Sequence, residues 1–175
     1  MKDFLYTPYD FAIIINKYSI KIVRSMEMLS EIFRKDNAFI AREYRDSEKK
    51  FVHAVMDMVH YINNREVFDE EISALNSDFE SLGLESNQEC CDFYTSNFFF
   101  KELRIKILYI NKQGYSKMKL RTILKSLGYQ RRSQNILRYI GDCLMFYHME
   151  VTDSEDYFCD IEAADIDEML VFRVI

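Results

Sequence analysis

The sequence predicts a mainly α-helical protein. An N-terminal helical bundle or long helical hairpin comes first, and a second half of shorter helices closes with a small β-hairpin. Three observations predict this. Apolar residues recur with helical spacing over long stretches. One proline and four glycines leave those stretches almost uninterrupted. Residues that favour strands, such as valine, isoleucine and phenylalanine, concentrate in "EMLVFRVI" near residue 175. With 175 residues, 49% of them hydrophobic, the chain can bury a core without metal or disulfide.

The first helix is expected to start at Pro8 with Thr7 as N-cap, because proline at the first helical position gives up no hydrogen bond. Its apolar stripe runs Phe11, Ile14, Ile15, Tyr18, Ile22, Met26, Leu29 and Phe33. The second begins after Asp36 or Asn37 and carries Ile40, Tyr44, Phe51, Val55, Val59 and Ile62. So short a connection makes the two an antiparallel hairpin. A third helix spans about 69–82, with Ile72, Leu75, Phe79 and Leu82 on one face and Gly83 as its stop. Residues 84–97 lack a steady period and read as the connector between a helical domain, 1–95, and a second domain, 98–175.

In that second domain "FFFKELRIKILYIN" reads as a helix, although its alternation also allows a strand. "KQGY" breaks the pattern at Gly114. "MKLRTILKSLGY" is a short amphipathic helix that buries Leu120, Ile123, Leu124 and Leu127 and stops at Gly128. "RSQNILRYIGDCLMFYHM" is a longer helix with Ile136, Ile140, Leu144 and Tyr147 inward, and "DYFCDI" is the expected hairpin partner of "EMLVFRVI". Over about 98–175 this succession resembles the winged helix-turn-helix DNA-binding domains. The resemblance implies double-stranded DNA as partner and a role as a transcription regulator or accessory factor.

Charge is segregated to match. Residues 101–138 hold eleven lysines and arginines and one acid, Glu102, a net of +10, while 139–175 hold ten acids and one base, a net of −9. Such separation points to a partner for the basic segment. The resemblance makes the helix after Gly128 the recognition helix, starting near Arg131. With Ile136, Ile140, Cys143 and Leu144 inward, a rotation of 100° per residue clusters Arg131, Gln134, Asn135 and Arg138 on the other side. Arginine pairs with guanine, and glutamine or asparagine with adenine, and the N-terminal end of such a helix meets the base edges. Lys117, Lys119, Arg121, Lys125, Arg132 and Ser133 are expected on phosphates, with Ser133 also at the N-cap position. Neutralising about five phosphates gives a salt slope of about −4.5 and a roughly 500-fold loss of affinity between 50 and 200 mM salt.

A second class of function competes: a non-enzymatic interaction subunit whose basic face docks an acidic protein. Alanine at Gln134 and Asn135 separates the two, because only base recognition depends on their amides. Residues 151–168, the expected wing, are acidic, so they either turn away from DNA or cover the basic face. Neutralising Asp153, Glu155 and Asp156 together tests the second option.

No enzyme is expected, since no glycine-rich phosphate loop, GxSxG or HExxH is present. Glu48 and Lys50, with Asp36, resemble the acid-and-lysine set of metal-dependent nucleases but fall in helical periodicity rather than on strands. His53, Asp57 and His60 share one helix face, yet a structural metal needs a fourth ligand, so they read as a polar stripe. Cys143, His148 and Cys159 form a looser set in which Cys143 points inward. No metal or cofactor is expected. Phe98, Phe99 and Phe100 read as core anchors, leaving Tyr115 and Tyr129 as the better stacking candidates.

The four cysteines lack CxxC spacing and are expected to be reduced thiols. The early apolar run "FAIII" is far shorter than a membrane span or a signal core, so the expectation is a cytoplasmic protein with no membrane contact. Helix-turn-helix recognition is commonly dimeric, which makes residues 1–95 the expected homodimer surface.

Overall fold

Thr7 and Asp10 close a reciprocal capping box. Thr7 Oγ1 accepts from the Asp10 amide at 3.3 Å, and Asp10 Oδ2 accepts from the Thr7 amide at 2.8 Å. With Pro8 in the first turn this starts α1, Pro8–Lys17. The computed structural model describes residues 4–63, 88–153 and 155–175, so the third helix expected at about 69–82 lies outside the described residues.

α1 does not run on to Phe33 as its stripe predicts. Ser19 takes a left-handed φ of 50°. The Ser19 amide donates to the Asn16 carbonyl at 3.1 Å and the Ile20 amide to the Ile15 carbonyl at 3.0 Å, the two bonds of a Schellman end. The chain restarts as α2, Ile22–Lys35, which buries Ser25, Met28, Leu29 and Ile32. Ile22 and Met26, expected inward, are exposed.

The next helix is also shorter than its stripe. Residues 37–44 form two 3-10 turns, tied by Arg45, whose Nε and Nη2 donate to the Ile40 and Ala38 carbonyls at 2.6 Å. Tyr6 pairs with the same stretch, donating to the Phe39 carbonyl and accepting from the Ala41 amide at 2.8 Å. α3 then runs Glu48–Asn63 and buries Phe51, Val55 and Val59, packing with α1 and α2. The Phe51 ring meets Phe11 edge-on at 5.3 Å and Phe33 at 6.0 Å. Helices of 10, 14 and 16 residues thus replace the long hairpin.

The chain divides into two units, Met1–Cys90 and Cys91–Ile175. α4, Gln88–Ile105, occupies most of the expected connector and passes into one π-helical turn, Lys106–Ile110. Gly114 reverses the chain at φ 70°. β1, Ser116–Lys119, and α5, Leu120–Ser126, follow. Gly128 at φ 83° begins the turn to α6, Gln134–Phe146. β2, Met149–Thr152, and β3, Met169–Val174, complete an antiparallel sheet in the order β1–β3–β2. Ser116 lies opposite Phe172, and Met149 opposite Val174.

The expected hairpin is corrected on one side. "DYFCDI" contributes a lone bridge, Phe158 to Thr152, and the partner of β3 follows directly after α6. His148 at φ 51° ends that helix, and Met149 and Val151 are then both buried, as period-two alternation requires. The core of this unit includes Phe100, Leu120, Ile123, Leu137, Ile140, Tyr147 and Phe172. Among the described residues the fold is mainly helical with one small three-stranded sheet. Among the described residues no helix is long and apolar enough to cross a membrane.

Candidate nucleic-acid interface

α6 begins at Gln134 rather than near Arg131. Ser133 is extended, at φ −132° and ψ 154°, and its Oγ accepts the Ile136 amide at 3.4 Å. Arg131 and Arg132 therefore stand on the turn before the helix. The reason is local: Gly128 ends α5, and Ser133 is the side chain that caps the new helix.

Ile136, Leu137, Ile140, Cys143 and Leu144 form the buried face of α6. Asn135, Arg138, Asp142 and Met145 line the exposed one, at spacings of three, four and three residues. Asp142 lies one turn beyond Arg138, so favourable potential for an anion is confined to the first two turns. The expected site omitted Asp142, although the spacing alone reveals it. On β1, Lys117 and Lys119 are exposed and alternate with the less exposed Ser116 and Met118; Lys125 on α5 is exposed as well.

Two of the eleven cations do not reach the surface. Lys101 and Arg104 are 3% and 4% exposed, and Arg104 Nε donates to the Tyr147 carbonyl at 3.1 Å. Of the proposed stacking aromatics, Tyr115 is covered by cations, with Lys117 Nζ 5.3 Å and Arg173 Cζ 5.9 Å from its ring centre. Tyr129 is 37% exposed. Phe100 is fully buried, edge-on to Phe99 at 5.1 Å, which makes it a core residue.

The acidic stretch 160–168 lies against the starts of α5 and α6. Arg121 Nε and Nη2 donate to Asp167 Oδ1 and Oδ2 at 2.8 and 2.7 Å, a bidentate pair. The Arg121 amide donates to the Ile166 carbonyl at 2.8 Å. Arg132 Nη1 donates to the Ala164 carbonyl at 2.7 Å and its Nη2 to the Glu162 carbonyl. Gln134 Nε2 donates to Glu162 Oε2. Ile161 and Ala164 are buried and anchor the stretch. The hydrogen bond from Arg121, with the charges of Arg121 and Lys119, holds the Asp167 carboxyl below its ordinary range. The same hydrogen bond and charge raise Arg121.

The carboxylates that reach the basic side chains lie within the expected stretch 151–168 but are not the three chosen for neutralisation. Asp156 pairs with Arg173 at 2.6 Å, and Asp153 Oδ1 accepts the Glu155 and Tyr157 amides at 2.8 and 3.0 Å. The residues that reach the basic side chains are Glu162 and Asp167. Sequence spacing offers no signal for a contact 46 residues long, such as Arg121 to Asp167.

His53, Asp57 and His60 are exposed along α3. Among the described residues, no group of three His, Cys, Asp or Glu side chains is placed to hold a metal ion. Burial pushes the Cys143 thiol up to about 12; burial and the neighbouring Glu168, Asp153 and Asp160 raise Cys159. Glu48 and Lys50 lie in the first turn of α3, with Lys50 Nζ donating to the Glu43 carbonyl at 2.7 Å, and Asp36 caps the end of α2. Comparison with known proteins finds no matching family model, no matching curated protein and no matching solved structure.

Proposed function

We propose that residues 98–175 form a winged-helix-like module that binds double-stranded DNA, with α6 as its recognition helix. The observation that carries this reading is the order of elements. A helix, a short strand, two helices joined at a left-handed glycine, and two further strands, the last of which pairs with both earlier ones in the order β1–β3–β2, are what supports this reading. Exposed Arg138 on α6 and exposed Arg131 on the turn before it support it further.

In this reading Asn135 and Arg138 reach base edges from α6, with Arg131 beside them on the preceding turn. Lys117, Lys119 and Lys125 contact phosphates. Arg121, Arg132 and Gln134 contribute less, since each is already bonded to the acidic stretch. About three neutralised phosphates give a salt slope of about −2.7, a roughly 40-fold loss between 50 and 200 mM salt. Fluorescence anisotropy of a labelled random-sequence duplex at 50, 100 and 200 mM salt tests this. Absence of binding at 50 mM sinks it.

One observation favours the second reading, docking of an acidic protein. The face already accepts carboxylates, from Asp167 on Arg121 and Glu162 on Gln134. Alanine at Asn135 and Arg138 separates the two. Base recognition loses about 1–3 kcal/mol of discrimination for each lost bidentate contact, whereas protein docking is indifferent to DNA sequence. Self-association through residues 1–95 belongs to the same proposal. It is supported by exposed Ile22, Val23 and Met26 on α2, and a monomer in sedimentation at high concentration would remove it.

A further inference from the structure

We infer that the stretch Asp160–Glu168 is a built-in competitor for the DNA-binding face, acting through two carboxylates, Glu162 and Asp167, while Arg132 fastens it in place. This inference rests on the DNA-binding reading above.

The stretch has two kinds of attachment, and they differ in what an incoming phosphate can displace. The first kind is structural. Ile161 and Ala164 are buried, the Arg121 amide is bonded to the Ile166 carbonyl, and the Arg132 guanidinium spans the carbonyls of Ala164 and Glu162. Asp160 and Asp165 brace the loop from within, accepting the Glu162 and Asp167 amides at 2.9 and 2.8 Å. None of these bonds uses the carboxylate of Glu162 or Asp167. A phosphate can replace a carboxylate on a guanidinium, but it cannot replace a main-chain hydrogen bond or a buried alanine. Arg132 is thus a positioning residue, and its expected role on phosphate is taken over by a role in the fold.

The second kind is exchangeable. The Arg121 and Asp167 side chains are 62% and 52% exposed, and their bidentate pair presents to the guanidinium the same pair of oxygens that a phosphate would. Gln134 is exposed and spends one amide hydrogen on Glu162. Both contacts break without unfolding the stretch. DNA therefore competes with two side-chain anions already bound at its site, and it must accept their negative charge nearby after they are displaced. Affinity is held down without hiding the cations completely.

The experiment compares three proteins in the duplex titration at 50, 100 and 200 mM salt: the unaltered chain, Glu162→Gln/Asp167→Asn, and Glu150→Gln/Glu155→Gln. The third removes the same net charge from the acidic region without touching a residue that holds the basic face. Releasing Arg121 to a phosphate steepens the salt slope by about 0.9. At 100 mM salt the first double variant is expected to bind about tenfold more tightly than the unaltered chain, and the control within about twofold. Hydrogen exchange at the Arg121 amide verifies that the stretch is still docked in the variant, independently of DNA. Asp167→Asn alone provides a milder variant in which the slope change is expected to persist.

Equal gains by both double variants would assign the effect to general charge and overturn the inference. Unchanged or weaker binding by Glu162→Gln/Asp167→Asn, with the unaltered chain binding DNA, overturns it while leaving the DNA-binding reading intact. A loss there would recast Glu162 as a residue that orients the Gln134 amide. If none of the three proteins binds at 50 mM salt, the DNA-binding reading fails and the competitor role fails with it.

Discussion

Replacing Gly141 with alanine is expected to stabilise the unit Cys91–Ile175. The residue sits inside α6, Gln134–Phe146, where glycine costs about 0.5–1 kcal/mol relative to alanine through the backbone freedom it retains when unfolded. The usual objection is steric, and here it does not apply. Apart from its chain neighbours and the surrounding backbone of α6, a Cβ built at Gly141 meets no heavy atom within 4 Å, so no side chain must shift and no strain is subtracted from the gain. The net expectation is about 0.5–1 kcal/mol, which corresponds to roughly 2–8 °C in melting temperature for a unit of this size. The assay is urea denaturation followed by circular dichroism. The midpoint should rise at unchanged slope, since little surface is added. A midpoint that stays or falls would mean that this position is crowded or that α6 is not helical there, and would refute the reasoning. If α6 binds DNA as proposed, affinity is expected to stay within about twofold, because Gly141 lies past Arg138, the last α6 residue assigned to a base edge.

Two further outcomes are expected. Phe51→Ala removes a fully buried ring that Phe11 and Phe33 both touch, and should cost about 3–5 kcal/mol in chemical denaturation; a cost under about 1 kcal/mol would contradict this packing. Cys143 should resist alkylation at pH 8 in the native protein and react on unfolding, as its raised titration implies. Its folded value of about 12 lies above the unfolded value of about 8.5. Stability from the protonated thiol is therefore complete below about pH 8.5 and declines by up to about 1.4 kcal/mol per pH unit above it. Denaturation midpoints of the unaltered chain and Cys143→Ala should converge as pH rises from about 8 to 10; a constant gap would show that the thiol does not carry the effect.

Which boundaries were legible follows from which residues mark them. Pro8, Gly114 and Gly128 are strong punctuation, and the start of α1, the break before β1 and the end of α5 were all read from them. Among the missed boundaries are those at Ser19 and His148, which take left-handed φ of 50° and 51° without being glycine. Nothing in "NKYSIK" or "FYHMEV" announces such a turn, so the first apolar stripe was carried past Ser19 and no strand was expected directly after His148. That one omission explains the overlong first helix and the misplaced partner of β3. Local charge and burial on α6 were readable from its period. Lys101 and Arg104 were not, because burial of a cation depends on what packs over it. The contacts of Glu162 and Asp167 depend on tertiary placement alone.

The sheet order has a consequence for how the molecule is made. β1 and β2 never touch; each pairs with β3, which is synthesised last of the three. A nascent chain that has reached only Glu168 holds β1 and β2 without the strand that pairs with both, and open strand edges invite association with other chains. Closing the sheet also joins β1 to β3 across more than forty residues, a contact that forms slowly. The acidic stretch immediately precedes β3, so it is in place whenever the sheet is complete. The carboxylates that bond to Arg121 and Gln134 are thus made before the strand that completes the sheet.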